Sequence, residues 1–454
     1  MNEQKKLIDY LFWIIIVLYL DPGGHIQEVV SIRIFKTLVI PFTWILFLFG
    51  SNLKGFQLIG QDRVMKQICI LLVLWYVIYY AGIFVYIRDG YTEISLVGRL
   101  IKTRINFLAW TMIVPVYYFI VYRGISVFIK VFTFTTIYVG VAMMISVIFG
   151  LELVNFISSS RGYVETDRFL LRGFGILEMG LYLIVGLTII PKQYFNSGRL
   201  WLIAASISTY FIYISSLTRR YMVYIVLSWL IGHFIAKYVF QRGFFNMKII
   251  VVTLLITIGS FIVLSEYTTA IVESFETFTL DQSKSYGTTA VRLSLFEYEP
   301  ILEKINENPL LGTGYINEWY SNTEEKIEIR YGLEGSDFVF LASIGMFGFL
   351  GLILFLPFYF KIGRMIFNHF KLIRNNLKYL EKKPEGFGPY LLIFFTTAVF
   401  FIRHLFTYPN WFSFIGPNGV FEKYYILMGL LLGSAYKIYL MLKDNQALTH
   451  TEFS

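Results

Sequence analysis

The chain has 454 residues, of which 56% are hydrophobic and only 15% charged. A water-soluble protein of that length could not keep so much apolar surface from solvent, so a soluble enzyme or binding domain is excluded. The net charge of +9 does not point to nucleic acid, because the basic residues flank apolar runs, where they face anionic lipid on the cytoplasmic side.

Apolar runs of about 17–25 residues, the length a helix needs to cross a bilayer, recur along nearly the whole chain. Lipid demands helices for such runs, since each helix satisfies its own backbone groups. The sequence therefore predicts an all-α polytopic membrane protein with about twelve spans. They fall near 8–20, 34–50, 65–87, 105–122, 126–150, 174–190, 200–217, 221–240, 248–265, 337–360, 389–405 and 421–440. The first follows Lys5 and Lys6 with no small-residue cleavage site behind it, so it reads as a retained helix and not a signal peptide. Cys69 is the only cysteine, which leaves no disulfide framework and no cysteine-based metal site.

Spans one to nine occupy 1–265. The stretch 266–336 is rich in glutamate and poor in lysine and arginine, and is expected to be a large, partly helical external loop. Spans ten to twelve lie in 337–440, interrupted by a basic segment, 361–389, expected to be a cytoplasmic loop. It carries Lys361, Arg364, Lys371, Arg374, Lys378, Lys382 and Lys383. A cytoplasmic tail, 441–454, closes the chain. Twelve spans put both termini inside, with Lys54, Arg63, Lys66, Lys237, Arg242 and Lys248 on the same side.

That scheme leaves a set of arginines on the wrong side for the positive-inside trend. Arg161, Arg168 and Arg172 precede span six, Arg219 and Arg220 sit between spans seven and eight, Arg292 lies in the large loop, and Arg403 with His404 follows span eleven. External arginines imply an anionic ligand or buried partners. Glu178, in the outer part of span six, either pairs with one of them or contacts substrate. Within the large loop, 290–306 repeats apolar residues at helical spacing, and Asn308-Pro309 ends the helix. LLGTGY then makes a glycine-punctuated turn. No Walker-type Lys-Ser/Thr follows, so Gly312 and Gly314 are turn residues and not a phosphate loop.

The run VRLSLFEYEPILEKINENPLLGTGYINEW, followed by GSDFVFLASIGMFGFLGLILF, resembles the shared region of bacterial O-antigen polymerases and ligases. The matching features are Arg292 opening a loop helix, Asn308-Pro309-Leu310-Leu311-Gly312-x-Gly314, the Ser336-Asp337 pair at the start of a span, and Gly345 with Gly348 behind it. LTRRYMVY (217–224) looks like the family's arginine-bearing turn, and DRFLLRGFGILEMG (167–180) like its arginine-and-glycine segment. Together these cover roughly residues 160 to 360. Ligases of this family carry a histidine where the loop re-enters the membrane. This chain has Gly335-Ser336-Asp337 there, which favours the polymerase.

The resemblance implies glycosyl transfer from a polyprenyl-pyrophosphate-linked glycan. An acceptor hydroxyl attacks the anomeric carbon and lipid pyrophosphate leaves. The leaving group gains charge as the bond breaks, so fixed cations lower the barrier. Arginine's planar fork suits phosphate and stays charged. The implied catalytic set is Arg219, Arg220, Arg292 and Asp337, the aspartate as base for the attacking hydroxyl or else as a helix cap. The implied substrate-binding set is Arg161, Arg168, Arg172, Glu178, Arg403 and His404. No cofactor is expected, and no metal, since no clustered His/Asp/Glu ligand pattern is evident. Expected partners are the lipid-linked oligosaccharide, membrane lipids, a flippase and a chain-length regulator, not nucleic acid. The alternatives are a ligase that moves the glycan to a lipid core, or a transporter of the same lipid-linked sugar. A transporter would be expected to show two related halves, and none is found.

Overall fold

A computed structural model describes residues 2–19, 32–51, 54–88, 110–149, 177–195, 198–215, 219–243, 306, 309–311, 339–381, 384–407 and 422–443. Among these residues the chain is helical throughout, with no strand. The helices are α1 (Asn2–Tyr19), α2 (Ile32–Ser51), the short α3 (Gly55–Gly60), α4 (Arg63–Arg88), α5 (Ile113–Tyr118), α6 (Ser126–Phe149) and α7 (Glu178–Ile189). They continue with α8 (Arg199–Ser215), α9 (Arg219–Phe240), α10 (Val339–Asn375), the short α11 (Leu377–Leu380), α12 (Pro384–Thr407) and α13 (Glu422–Lys443). Five described helices are long and apolar enough to cross a membrane: 126–145, 223–240, 348–375, 386–405 and 424–443. Leu200, Phe360, Phe134 and Phe49 stand largely exposed on the outside, a surface suited to lipid and not to water.

The bundle is organised around α7. Ten of its twelve residues are buried, from Glu178 to Ile189, and it packs against α8, α9 and α12. A helix apolar on every side belongs in the centre. Gly186 lets it approach α12 closely, since a Cβ there would lie 2.5 Å from Thr396 Oγ1. Small residues at such crossings are how membrane helices pack when lipid is as apolar as the core. Thr396 and its neighbours 391–400 on α12 are buried in turn, and α13 covers the far side of α12.

The two ends of the bundle differ. One end gathers basic side chains that are tied down by backbone carbonyls, an aromatic ring or, for Arg123, a carboxylate. Arg199 Nη2 donates to the Leu187 carbonyl at 2.9 Å, and Arg242 Nη2 donates to the Ile189 carbonyl at 3.1 Å. Both cap the negative end of α7. Arg374 lies over the Tyr238 ring at 5.1 Å, and Arg123 Nε donates to Asp9 Oδ1 at 2.7 Å. The starts of α7 and α9 and the end of α12 make up the opposite end, as the contacts of Arg403 with Glu178 and Tyr224 require.

The basic stretch 361–389, expected as a loop, is helical over most of its length. α10 runs through it to Asn375, a turn at Asn376 leads into α11, and α12 begins at Pro384. The reason is periodicity. Phe358, Ile362, Met365, Ile366, His369, Phe370 and Ile373 are all buried, one stripe at spacings of three and four, while Arg364, Lys371 and Arg374 take the exposed face. From Phe349 to Asn375 α10 extends about 40 Å, beyond a hydrocarbon core of about 30 Å.

Candidate functional site

α10 is not continuous. At Gly348 the backbone leaves helical geometry (φ 64°, ψ −175°), the left-handed region that only glycine enters without strain. The helix restarts at Phe349, whose amide, like that of Leu350, has no carbonyl behind it within the helix. The turn Pro309–Leu311 fills that need. Phe349 N–H donates to the Pro309 carbonyl at 2.8 Å, and Leu350 N–H to the Leu310 carbonyl at 3.1 Å. A Cβ at Gly348 would collide with the Leu310 carbonyl. Glycine thus serves twice, for the turn in α10 and for the approach of the second segment.

The best-defined polar cluster joins α7, α9 and α12. Arg403 Nη2 donates to Glu178 Oε1 at 2.9 Å, and Tyr182 Oη donates to the same oxygen at 3.1 Å. Both charged residues are almost fully buried. Three rings surround the guanidinium: Tyr224 with its centroid at 3.8 Å, Phe400 at 5.1 Å and Tyr182 at 5.3 Å. Cation–π attraction of this kind is strongest where water is excluded. His404, also buried, stacks on Phe400 and lies 5.1 Å from the Tyr424 ring of α13. Arg403 and His404, expected beyond the end of span eleven, are in the last two turns of α12. Their helix carries them into the interior, where Glu178 neutralises the arginine.

Arg219 and Arg220 are the first two residues of α9. No acidic residue lies in that first turn, so two cations stand at the positive end of a helix dipole, an unfavourable placement unless an anion is near. Arg220 precedes Tyr224, the ring beneath Arg403, by one helical turn, about 6 Å along the axis. The starts of α7 and α9 and the end of α12 therefore converge: Glu178, Tyr224, Arg403 and His404 lie together there, and Arg219 and Arg220 are the first two positions of α9. Arg161, Arg168, Arg172, Arg292 and Asp337 lie outside the described residues, as do the span expected at 248–265 and, apart from residues 306 and 309–311, the loop expected at 266–336 with its helix at 290–306.

Chemically the Glu178–Arg403 cluster is a fastening. Both charges turn inward, onto each other and onto aromatic rings, and they fix where α9 begins. Sequence reading did not find the aromatic cage. Tyr182, one turn after Glu178, was the only member with a local signal. A second buried acid was also missed at the basic end: Asp62 Oδ1 accepts from the amides of Val64 and Met65 at 2.9 and 3.3 Å, and its Oδ2 accepts from Tyr117 Oη at 2.8 Å. It is the N-cap of α4. Burial pushes its pKa above the ordinary carboxylate value, an effect the three donated hydrogen bonds only partly offset. Among the described residues no group of His, Cys, Asp and Glu could hold a metal ion. No family model, curated protein or solved structure matches the chain.

Proposed function

We propose that this chain is a membrane glycosyltransferase that joins polyprenyl-pyrophosphate-linked oligosaccharide repeat units into an O-antigen or related surface polysaccharide. In this reading about twelve spans sit in a bacterial inner membrane. The basic end faces the cytoplasm, and the end holding Arg219, Arg220 and the Gly348 break faces outward beneath the loop 266–336. The observation that carries the reading is the seating of Pro309–Leu311 on Phe349 and Leu350. Two stretches of the family-like pattern, the Asn-Pro-Leu-Leu turn and the glycine after Ser336-Asp337, are about forty residues apart in sequence and meet through backbone hydrogen bonds. The two arginines that open α9, with no acidic residue in its first turn, add support, because a pyrophosphate is the kind of anion that a pair of arginines on a helix N-terminus would hold.

In the proposed reaction a hydroxyl on the distal sugar of one lipid-linked unit attacks the anomeric carbon of another. A new C–O bond forms there as the bond to pyrophosphate breaks, and the leaving group departs with the electron pair. Arg219, Arg220 and Arg292 stabilise its growing charge, and Asp337 takes the proton of the attacking hydroxyl. Glu178, Arg403 and His404 act one layer behind, as positioning residues that hold α9 against α7 and α12.

The test is the glycan profile of a strain lacking the protein, run beside its parent, with the lipid-linked pool extracted separately. Loss of the long ladder while single repeat units still reach the surface is the result expected for a polymerase. Long chains stranded on the polyprenyl carrier would assign a ligase instead, and an unchanged profile in both fractions would overturn both and bring the transporter forward.

A further inference from the structure

At the basic end, between the start of α4, the middle of α10 and the last turns of α13, lies a cavity of about 1050 Å³. Its inner wall is apolar, with Met365, Leu432 and Ala435 buried. Its open side is apolar too: Ile70 and Phe360 line it and are 48% and 76% exposed, so it opens sideways into lipid. Around it stand four cations, Arg63, Lys361, Arg364 and Lys443. Arg63 and Arg364 both lie close enough to act on the Lys361 charge.

Like charges gathered at one place repel, and among the described residues no acidic side chain pairs with them. The one carboxylate lining the cavity, Asp62, faces the amides of Val64 and Met65 and the Tyr117 hydroxyl. A ring of cations needs a phosphate-like anion, and an exposed phenylalanine beside it needs an acyl chain. A soluble anion meets only the first need. The volume is at the upper end of the range for sites that enclose a small molecule, enough for a headgroup with the top of its chains.

We propose that this cavity binds an anionic phospholipid, its phosphate among Arg63, Lys361, Arg364 and Lys443 and an acyl chain along Ile70 and Phe360. The site stands apart from the glycosyl-transfer reading and does not depend on it.

The test is native mass spectrometry of the full chain in neutral detergent, titrated with phosphatidylglycerol or phosphatidylcholine. Phosphatidylglycerol is expected to bind more tightly. Each cation near an anionic lipid contributes about fivefold to affinity, so R63Q/R364Q lowers phosphatidylglycerol binding roughly 25-fold and leaves phosphatidylcholine unchanged. K130Q/K371Q removes the same charge from exposed positions outside the cavity and keeps the affinity. F360S weakens phosphatidylglycerol with all four cations in place, which keeps the test decisive if the arginine variant does not fold. Equal binding of the two lipids, an unaltered R63Q/R364Q, or an equal loss in K130Q/K371Q would overturn the proposal. So would displacement of the lipid by excess inorganic phosphate together with wild-type binding by F360S, which would make this a site for soluble phosphate.

Discussion

Glu178→Ala removes a carboxylate bonded to the Arg403 guanidinium, which is almost completely enclosed. Leaving one partner of a buried ion pair behind costs about 3–5 kcal/mol. The Tyr182 hydroxyl loses its acceptor as well, which adds about 1–3 kcal/mol. The Tyr224 face at 3.8 Å still holds the cation and retains about 2 kcal/mol, so the net loss is on the order of 4 kcal/mol. In purified protein in detergent, followed by tryptophan fluorescence at one fixed scan rate, that corresponds to a fall in apparent Tm on the order of 5 °C. Arg403→Met alone strands Glu178 and gives a similar fall. The double variant Glu178→Ala/Arg403→Met buries no charge and recovers at least half of the loss, since an apolar replacement for a buried pair is often neutral or better. A single Glu178→Ala variant that melts with wild type, or a double variant that loses the sum of the two singles, would refute the fastening role.

Gly348→Ala sets a Cβ against the Leu310 carbonyl and a non-glycine residue at φ 64°, costing about 1–3 kcal/mol. The 309–311 turn should then be cut faster in limited proteolysis, and a wild-type cleavage rate would count against the seating. Asp62 has a raised pKa in the fold, so its ionised form costs stability at neutral pH. That cost is relieved as pH falls through the folded pKa and is gone below the unfolded value of about 3.9. Asp62→Asn should therefore flatten the rise in Tm on acidification, and an identical pH slope in both proteins would contradict the assignment. Arg219→Ala and Arg292→Ala should each abolish polymer while the protein stays in the membrane, by immunoblot of the membrane fraction. Normal polymer from both would sink the pyrophosphate clamp.

Hydropathy located helices well where apolar runs end in charge or turn residues. The expected spans 126–150 and 34–50 meet α6 (Ser126–Phe149) and α2 (Ile32–Ser51) within a few residues. It failed where charge and apolar residues share one helix. The segment 361–389 looked like a loop because window averages fall when Arg364, Lys371 and Arg374 enter, although the stripe of Ile362, Met365, Ile366 and Ile373 on the other face continues unbroken. Span eleven, expected at 389–405, ends within two residues of α12 (Pro384–Thr407), but hydropathy does not show that Arg403 at its end turns inward. The Glu178–Arg403 pair was half legible. An acid within an apolar run needs a cation, but which cation is a matter of tertiary packing, and Arg403 is 225 positions away. The Asp62–Tyr117 bond, 55 positions apart, left no local trace either. The Gly348 break left a faint one, because glycine inside an apolar helical run marks a place where backbone can come close, but the Pro309 turn that meets it is about forty residues away.

The 225 positions between Glu178 and Arg403 are also an interval of time. At about 5–20 residues per second of synthesis, α7 enters the bilayer roughly 10–45 s before the ribosome has made the arginine that neutralises it. Throughout that wait α7 carries an acid with neither its cation nor the last of its packing surfaces, and α12 supplies both at once. The nascent chain therefore completes its central helix late, and a chain cut short before residue 403 keeps Glu178 without the guanidinium that binds it in the full protein.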